Sequence, residues 1–84
     1  MIKLLNVTRE TAGGTSMLYL SYAPRQKVSR TLTVAEDGSI AIDLDAEGNV
    51  LGIELIGAGT ADFAKLVKIA EERHLSLDGL FSYA

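Results

Sequence analysis

A change in hydrophobic period near residue 60 constrains the fold of this chain more than any other feature of its sequence. Before that point, short segments alternate apolar and polar residues, which places successive side chains on opposite faces of a strand. After it, apolar residues recur at the three- and four-residue spacing of an amphipathic helix. A run of strands followed by a helix is typical of the α+β class.

Five segments of the first part of the chain are predicted to be strands: 2–8, 17–23, 28–34, 40–45 and 50–57. Polar and glycine-containing stretches separate them, including a turn predicted over residues 9–16 and the strong hairpin signal Asp37-Gly38. Consecutive strands joined by short turns predict a five-stranded antiparallel meander sheet over residues 1–57.

Residues 60–74 are predicted to form the helix, with Thr60 as its N-cap. Its apolar stripe consists of Phe63, Leu66, Val67 and Ala70. We expect this C-terminal helix to pack on one face of the sheet, the face that carries Leu51, Ile53 and Leu55. Residues 76–84 are expected to form a short helix or a packed tail.

Composition bounds the possible functions. The chain has 84 residues, 48% of them hydrophobic and 23% charged, which gives room for a single domain over residues 1–84. The absence of cysteine excludes disulfides, thiolate nucleophiles and zinc–thiolate sites. A net charge of −3 disfavours nucleic acid as a partner. Without a signal peptide or an apolar run of membrane-spanning length, we expect a cytoplasmic protein with no membrane partner.

The stretch DLDAEGNVLGIE, residues 43–54, matches the pattern of a calcium-binding loop. Positions 1, 3, 5, 6 and 12 of that pattern are filled by Asp43, Asp45, Glu47, Gly48 and Glu54. A calcium loop lies between two helices, however, and both flanks of this stretch alternate with period two. In a strand, Glu54 would run away from the turn at about 3.3 Å per residue and would face a neighbour such as Asp43. We therefore predict a β-hairpin with no metal ion.

The same stretch, together with MLYLSYA at residues 17–23, resembles the small bacterial family catalogued as domain of unknown function 2283. Members of that family read Ala-Leu-Tyr-Ile and then Asp-x-Asp-x-x-Gly-x-x-x-Gly-Ile-Glu. The matching residues are Leu18, Tyr19, Leu20, Asp43, Asp45, Gly48, Gly52, Ile53 and Glu54. The resemblance covers about residues 1–57 and leaves the predicted helix outside the motif.

This chain departs from the family at three points. Val7-Thr8 stands where the family has Tyr-Asp, the turn RETAGGTS is longer, and Met17 replaces the alanine. The family has no established reaction, and some of its members resemble the antitoxin half of toxin–antitoxin gene pairs. The resemblance therefore implies a binding role with a small protein partner.

Catalysis has little support in the sequence. His74 is the only histidine, and it is predicted to lie at the end of the helix among charged residues. Asp43, Asp45 and Glu54 on an open sheet face are the alternative, as the acid–base or ligand-binding groups of a small enzyme or metal binder. We expect no enzyme activity, no catalytic residue and no cofactor.

Apolar residues on the second face of the sheet are the strongest functional indication. Met17, Tyr19, Val50 and Ile56 alternate with the residues predicted to face the helix. Exposed patches of this kind usually mark an interface. We therefore expect a non-enzymatic binding or regulatory module that forms a homodimer through this face.

Overall fold

The computed structural model describes residues 1–24, 27–34, 38–57 and 60–80. It contains five strands and one helix: β1 (Asn6–Ala12), β2 (Thr15–Ser21), β3 (Arg30–Thr33), β4 (Ile40–Leu44), β5 (Val50–Ile56) and α1 (Thr60–Arg73). The strands form one antiparallel sheet, and the helix packs on one of its faces. The α+β class, the five-stranded antiparallel sheet and the C-terminal helix are thus confirmed.

The order of the strands differs from that of a simple meander. The sheet runs β1-β2-β5-β4-β3, so β5 lies at its centre between β2 and β4. The strands β3, β4 and β5 do follow one another as neighbours, but β2 pairs with β5 instead of β3. The central position suits β5, since most of its residues are buried whereas most residues of β3 are exposed.

The first strand begins later than predicted. Residues 2–8 were expected to form it, but β1 spans Asn6–Ala12 and most of the predicted turn over residues 9–16 is strand. Gly13 and Gly14 alone connect β1 to β2, with φ angles of 58° and 81°. Positive φ at both central residues is the requirement of a tight hairpin turn of type I′, which glycine meets at little cost.

The N-terminal segment joins the far end of the molecule instead. The backbone N–H of Ile2 donates to the carbonyl of His74 at 2.7 Å, and Ser76 N–H donates to the carbonyl of Ile2 at 2.8 Å. These bonds form a short parallel bridge beside the end of α1. Leu4, which is 2% exposed, joins the core from this segment.

The remaining boundaries shift by one to a few residues. The predicted strands 17–23, 28–34, 40–45 and 50–57 are observed as Thr15–Ser21, Arg30–Thr33, Ile40–Leu44 and Val50–Ile56. The helix ends at Arg73, one residue before the predicted end. Asp37 of the predicted hairpin pair and residues 81–84 of the predicted tail lie outside the described residues.

One continuous core fills the space between the sheet and the helix. Its fully buried side chains come from all parts of the chain: Leu4, Leu20, Ile40, Ile42, Leu44, Ile53, Leu66 and Leu75. On α1 the buried stripe consists of Leu66, Ile69 and Ala70, with Phe63 packed at its edge. Val67 was predicted to belong to this stripe, which is wrong, because it lies on the flank of the helix with 38% of its surface exposed.

A β-bulge between β4 and β5 moves two residues from their predicted faces. Asp43 pairs with Gly52, but the next residue, Leu44, pairs with Val50, so Leu51 is the extra residue of the bulge. Val50 was predicted on the face opposite the helix, but the register shift places it in the core at 7% exposure. Leu51 is buried outside the core cluster, so only Ile53 and Leu55 of the predicted set join the core beneath the helix.

The end of the helix is closed by a Schellman motif. His74 has a φ of 57°, and the Leu75 N–H donates to the Ala70 carbonyl at 2.8 Å. Leu75 and Leu80 are then buried, and the Tyr22 hydroxyl donates to the Ser76 carbonyl at 2.9 Å. Through Leu75 and Leu80, the segment that follows the helix therefore packs against the core.

Leu66→Ala should lower the free energy of unfolding by about 2–5 kcal/mol, because it removes a fully buried side chain from the centre of the core. The control is Val67→Ala on the exposed flank of the same helix, which should change stability by less than about 0.5 kcal/mol. Urea denaturation measures both. Equal effects of the two substitutions would contradict the observed packing of α1.

Candidate functional site

Tyr19 is the central side chain of the sheet face opposite the helix. It lies on β2, and its hydroxyl donates a 2.9 Å hydrogen bond to Oδ2 of Asp43 on β4. Because β5 separates those two strands, the ring must pass over β5 to reach Asp43. The Tyr19 side chain thus links strands that do not pair with each other.

Gly52 makes this crossing possible. It lies on β5 as the cross-strand partner of both Ser21 and Asp43. A Cβ atom added at Gly52 would overlap the phenol end of the Tyr19 ring. Glycine within a strand often marks a place where another group approaches the backbone closely, and here that group is the tyrosine ring.

Asp43 is held from a second side as well. The Thr31 hydroxyl of β3 donates to Oδ1 of Asp43 at 2.7 Å, so each carboxylate oxygen accepts one side-chain hydrogen bond. Burial raises the pKa of Tyr19 above its ordinary value, and the bond to Asp43 and the charges of Asp43 and Glu54 raise it further. The Tyr19 phenol therefore keeps its proton and donates it in the hydrogen bond to Asp43.

We call the sheet face opposite the helix the open face. Apart from Gly52, its central part is formed by alternating residues of β1, β2, β5 and β4: Thr8, Glu10, Met17, Tyr19, Glu54, Ile56, Ala41 and Asp43. Met17 pairs with Ile56 and Tyr19 with Glu54, and all four side chains are half-buried. Three of the four residues predicted to form an apolar patch thus lie together on this face, and Val50 does not.

A shallow groove of about 250 Å³ runs along the open face. Six residues line it: Thr8 and Glu10 of β1, Met17, Leu18 and Tyr19 of β2, and Glu54 of β5. Leu18 also packs against the core, since its cross-strand partner Leu55 lies on the helix side. The groove therefore combines two carboxylates with apolar and aromatic surface.

The acidic stretch at residues 43–54 is a β-hairpin, as predicted. Strands β4 and β5 flank a loop in which Gly48 has a φ of 83°. Oδ1 of Asp45 accepts hydrogen bonds from the backbone N–H groups of Asn49 at 2.8 Å and Glu47 at 2.9 Å. These bonds, foremost the one from Asn49, hold the pKa of Asp45 below its ordinary value. The Asp45 carboxylate thus stabilises the loop to which Asp45 itself belongs.

The three acidic residues considered for catalysis or metal binding do not form one cluster. Asp43 lies opposite Gly52 and Glu54 lies opposite Ala41, so the expected pairing of Asp43 with Glu54 is wrong. Asp45 belongs to the loop, and of these three acidic residues Glu54 is the one that lines the groove. Among the residues described, no group of three or more histidine, cysteine or acidic side chains is placed to hold a metal ion.

Sequence reasoning missed three residues of this face. Thr8 and Glu10 were assigned to a strand end and a turn, because β1 was predicted too early in the chain. A two-residue Gly13-Gly14 connection would have extended β1 to Ala12, which brings Glu10 into the sheet and places Thr8 within the strand instead of at its end. Thr31 was placed correctly in β3, but the periodicity of the sequence cannot show that β3 lies next to β4 with Thr31 opposite Asp43.

Gly52→Ala should destabilise the protein by about 1–3 kcal/mol, because the new methyl group displaces the Tyr19 ring. In a Tyr19→Ala background the same substitution should be neutral or stabilising, since the ring is gone. A double-mutant cycle by urea denaturation measures this coupling. Gly48→Ala is the control, because its cost arises from positive φ and should be the same in both backgrounds. Additive effects at Gly52 and Tyr19 would contradict the crossing.

Stability should decline at alkaline pH. The pKa of Tyr19 is raised, and burial raises the pKa of Tyr22 to about 12. Both phenols thus favour the neutral form in the folded state, and unfolded tyrosine ionises near pH 10. The contribution of both phenols to the free energy of unfolding should be constant below about pH 10 and fall as the pH rises above it. Phenolate absorbance and urea denaturation across that range measure the effect, and normal ionisation of both tyrosines near pH 10 would contradict it.

No helix in the described part of the chain combines the length and the apolar character needed to cross a membrane. Comparisons with models of protein families, with curated proteins and with solved structures found no match to this chain. The resemblance to domain of unknown function 2283 therefore stays a prediction.

Proposed function

We propose that this protein is a non-enzymatic binding module that holds a protein partner on the open face of its sheet. The observation that carries the proposal is the fixed position of Tyr19, which is supported from below by Gly52 and bonded to Asp43. A tyrosine held in this way loses little conformational freedom on binding. Aromatic residues of this kind are enriched among the residues that dominate binding energy at protein interfaces.

The surroundings of Tyr19 support an interface better than a catalytic centre. Met17 and Ile56 pair with each other beside it and give half-buried apolar surface, while Thr8 and Glu10 form a polar border on β1. An apolar centre with a polar rim is the usual anatomy of a protein interface. In contrast, Asp43 and Asp45 already accept hydrogen bonds from within the chain.

A role as the antitoxin half of a protein pair is consistent with this proposal and comes from the family resemblance alone. A homodimer through the open face, as expected from the sequence, is less well supported by the geometry. A two-fold contact between two open faces would bring Glu10, Asp43 and Glu54 of both copies together, and like charges in a contact oppose association. We therefore favour a different protein as the partner.

Selection from a displayed library of short random peptides tests the proposal directly. The recovered peptides should bind the protein but not Thr8→Arg, which fills the groove from the exposed edge strand. The matched control is Thr11→Arg, because Thr11 is also exposed on β1 but is three residues away and therefore points to the opposite face. It should leave binding unchanged.

The proposal requires binding that distinguishes the two variants. If no peptide is recovered, or if the recovered peptides bind both variants equally, the open face is not a protein-binding surface. Sedimentation at equilibrium separately tests the dimer. Self-association that Thr8→Arg abolishes and Thr11→Arg preserves would replace the heterologous partner with a second copy of the chain.

A further inference from the structure

We propose that the groove on the open face receives a lysine or arginine side chain from the partner protein, held between Glu10 and Glu54 beside the ring of Tyr19. This inference rests on the proposed binding function and specifies the chemistry of the partner. It follows from the position of the two carboxylates, the size of the groove and the distribution of charge over the molecule.

The two carboxylates lie on opposite sides of β2. Glu10 on β1 pairs with Met17, and Glu54 on β5 pairs with Tyr19. Both residues line the groove, which passes over β2 between them. A cation entering the groove can therefore meet a carboxylate from each side, and charge-assisted hydrogen bonds of this kind are stronger than neutral ones.

The aromatic and apolar part of the lining suits the rest of a long basic side chain. Lysine and arginine place several methylene groups before their charge, and those groups pack on apolar surface such as Met17. A cation within reach of the Tyr19 ring gains a further cation–π attraction. A small cation without methylene groups would be attracted by the carboxylates but would make no apolar contact with Met17.

Charge is unevenly distributed between the two faces of the sheet. Arg9 of β1 and Arg30 of β3 pair with Leu18 and Leu44, whose side chains contribute to the core side, so neither arginine belongs to the open face. Lys65 and Lys68 lie on the helix. Within the described strands, no basic side chain of the chain itself neutralises Glu10, Glu54 or Asp43 on the open face.

The raised pKa of Tyr19 supports the same conclusion. Burial is the largest cause of that shift, and the hydrogen bond to Asp43 and the negative charges of Asp43 on β4 and Glu54 on β5 raise the pKa further. The two carboxylates thus place negative charge beside the phenol. A basic partner would be attracted by it and an acidic one repelled.

The size of the groove favours a single side chain as its occupant. Its volume of about 250 Å³ is below the range of about 300–1,000 Å³ that is typical of sites for small-molecule ligands. The groove is also open along the sheet, so a side chain can enter while the main chain of the partner stays outside. We infer an extended basic segment and not a free metabolite.

The test uses two small probes, N-acetyl-arginine methylamide and its uncharged counterpart N-acetyl-citrulline methylamide. Amide chemical shifts in NMR titrations report where and how tightly each one binds. The arginine probe should perturb Thr8, Glu10, Tyr19 and Glu54 and saturate, and the citrulline probe should bind at least about tenfold more weakly, because it lacks the charge. Raising the salt concentration should weaken the binding of the arginine probe and leave the binding of the citrulline probe unchanged.

Paired substitutions test the two carboxylates. The double variant Glu10→Gln with Glu54→Gln should weaken arginine binding about tenfold. The matched control Glu71→Gln with Glu72→Gln changes the net charge equally on exposed residues of α1 and should leave binding unchanged. Equal weakening by both double variants would show a long-range effect of net charge and would overturn the proposed site.

The peptide selection separates this inference from the proposed function. Peptides that require the open face and are enriched in lysine or arginine support both. Peptides that require the open face but carry no basic residue would contradict the proposed basic side chain and would still support the proposed binding function. If neither the peptides nor the arginine probe bind the open face, both proposals fail.

Discussion

The crossing of Tyr19 over Gly52 organises the open face of this protein. The sheet consists of the β1–β2 hairpin and the three-stranded unit β3–β4–β5, and the pairing of β2 with β5 joins these two parts. The Tyr19 hydroxyl reaches past β5 to Asp43 on β4, which adds a side-chain connection across the same junction. Only a residue without a Cβ atom at position 52 leaves room for the ring.

This crossing also determines which acidic side chains remain available to bind a partner. Asp43 accepts hydrogen bonds from Tyr19 and Thr31, and Asp45 accepts those of its own loop. Glu10 and Glu54 are the acidic residues that line the groove, on either side of β2. The acidic residues that look most like a metal site in the sequence are thus largely used for structure, and the groove contains an acidic residue that the pattern does not include.

The sequence predicts local structure well and strand neighbours poorly, for a physical reason. Alternation identified β4 and β5 because core-facing apolar residues alternate with less buried ones along β4 and along the second half of β5, and it distinguished the hairpin at residues 43–54 from a calcium loop. It could not show that β2 pairs with β5, since period two defines the faces of a strand but not its neighbours. Among residues 6–11 of β1, Val7 is the only buried one, so alternation predicted the position of this strand poorly. The bulge at Leu51 was missed, because Val50 and Leu51 are both apolar and the pattern does not show which of them faces the core.

The proton chemical shifts of Gly52 test this account most directly. If the Tyr19 ring lies on Gly52, ring currents should shift at least one Gly52 Hα resonance strongly upfield of those of the other glycines, and cross-relaxation should connect it to the Tyr19 ring protons. Tyr19→Leu should abolish the shift, and Tyr22→Leu, which changes a tyrosine on the core side, should preserve it. Gly52 resonances at ordinary positions in the unsubstituted protein would contradict the crossing and the fixed open face that depends on it.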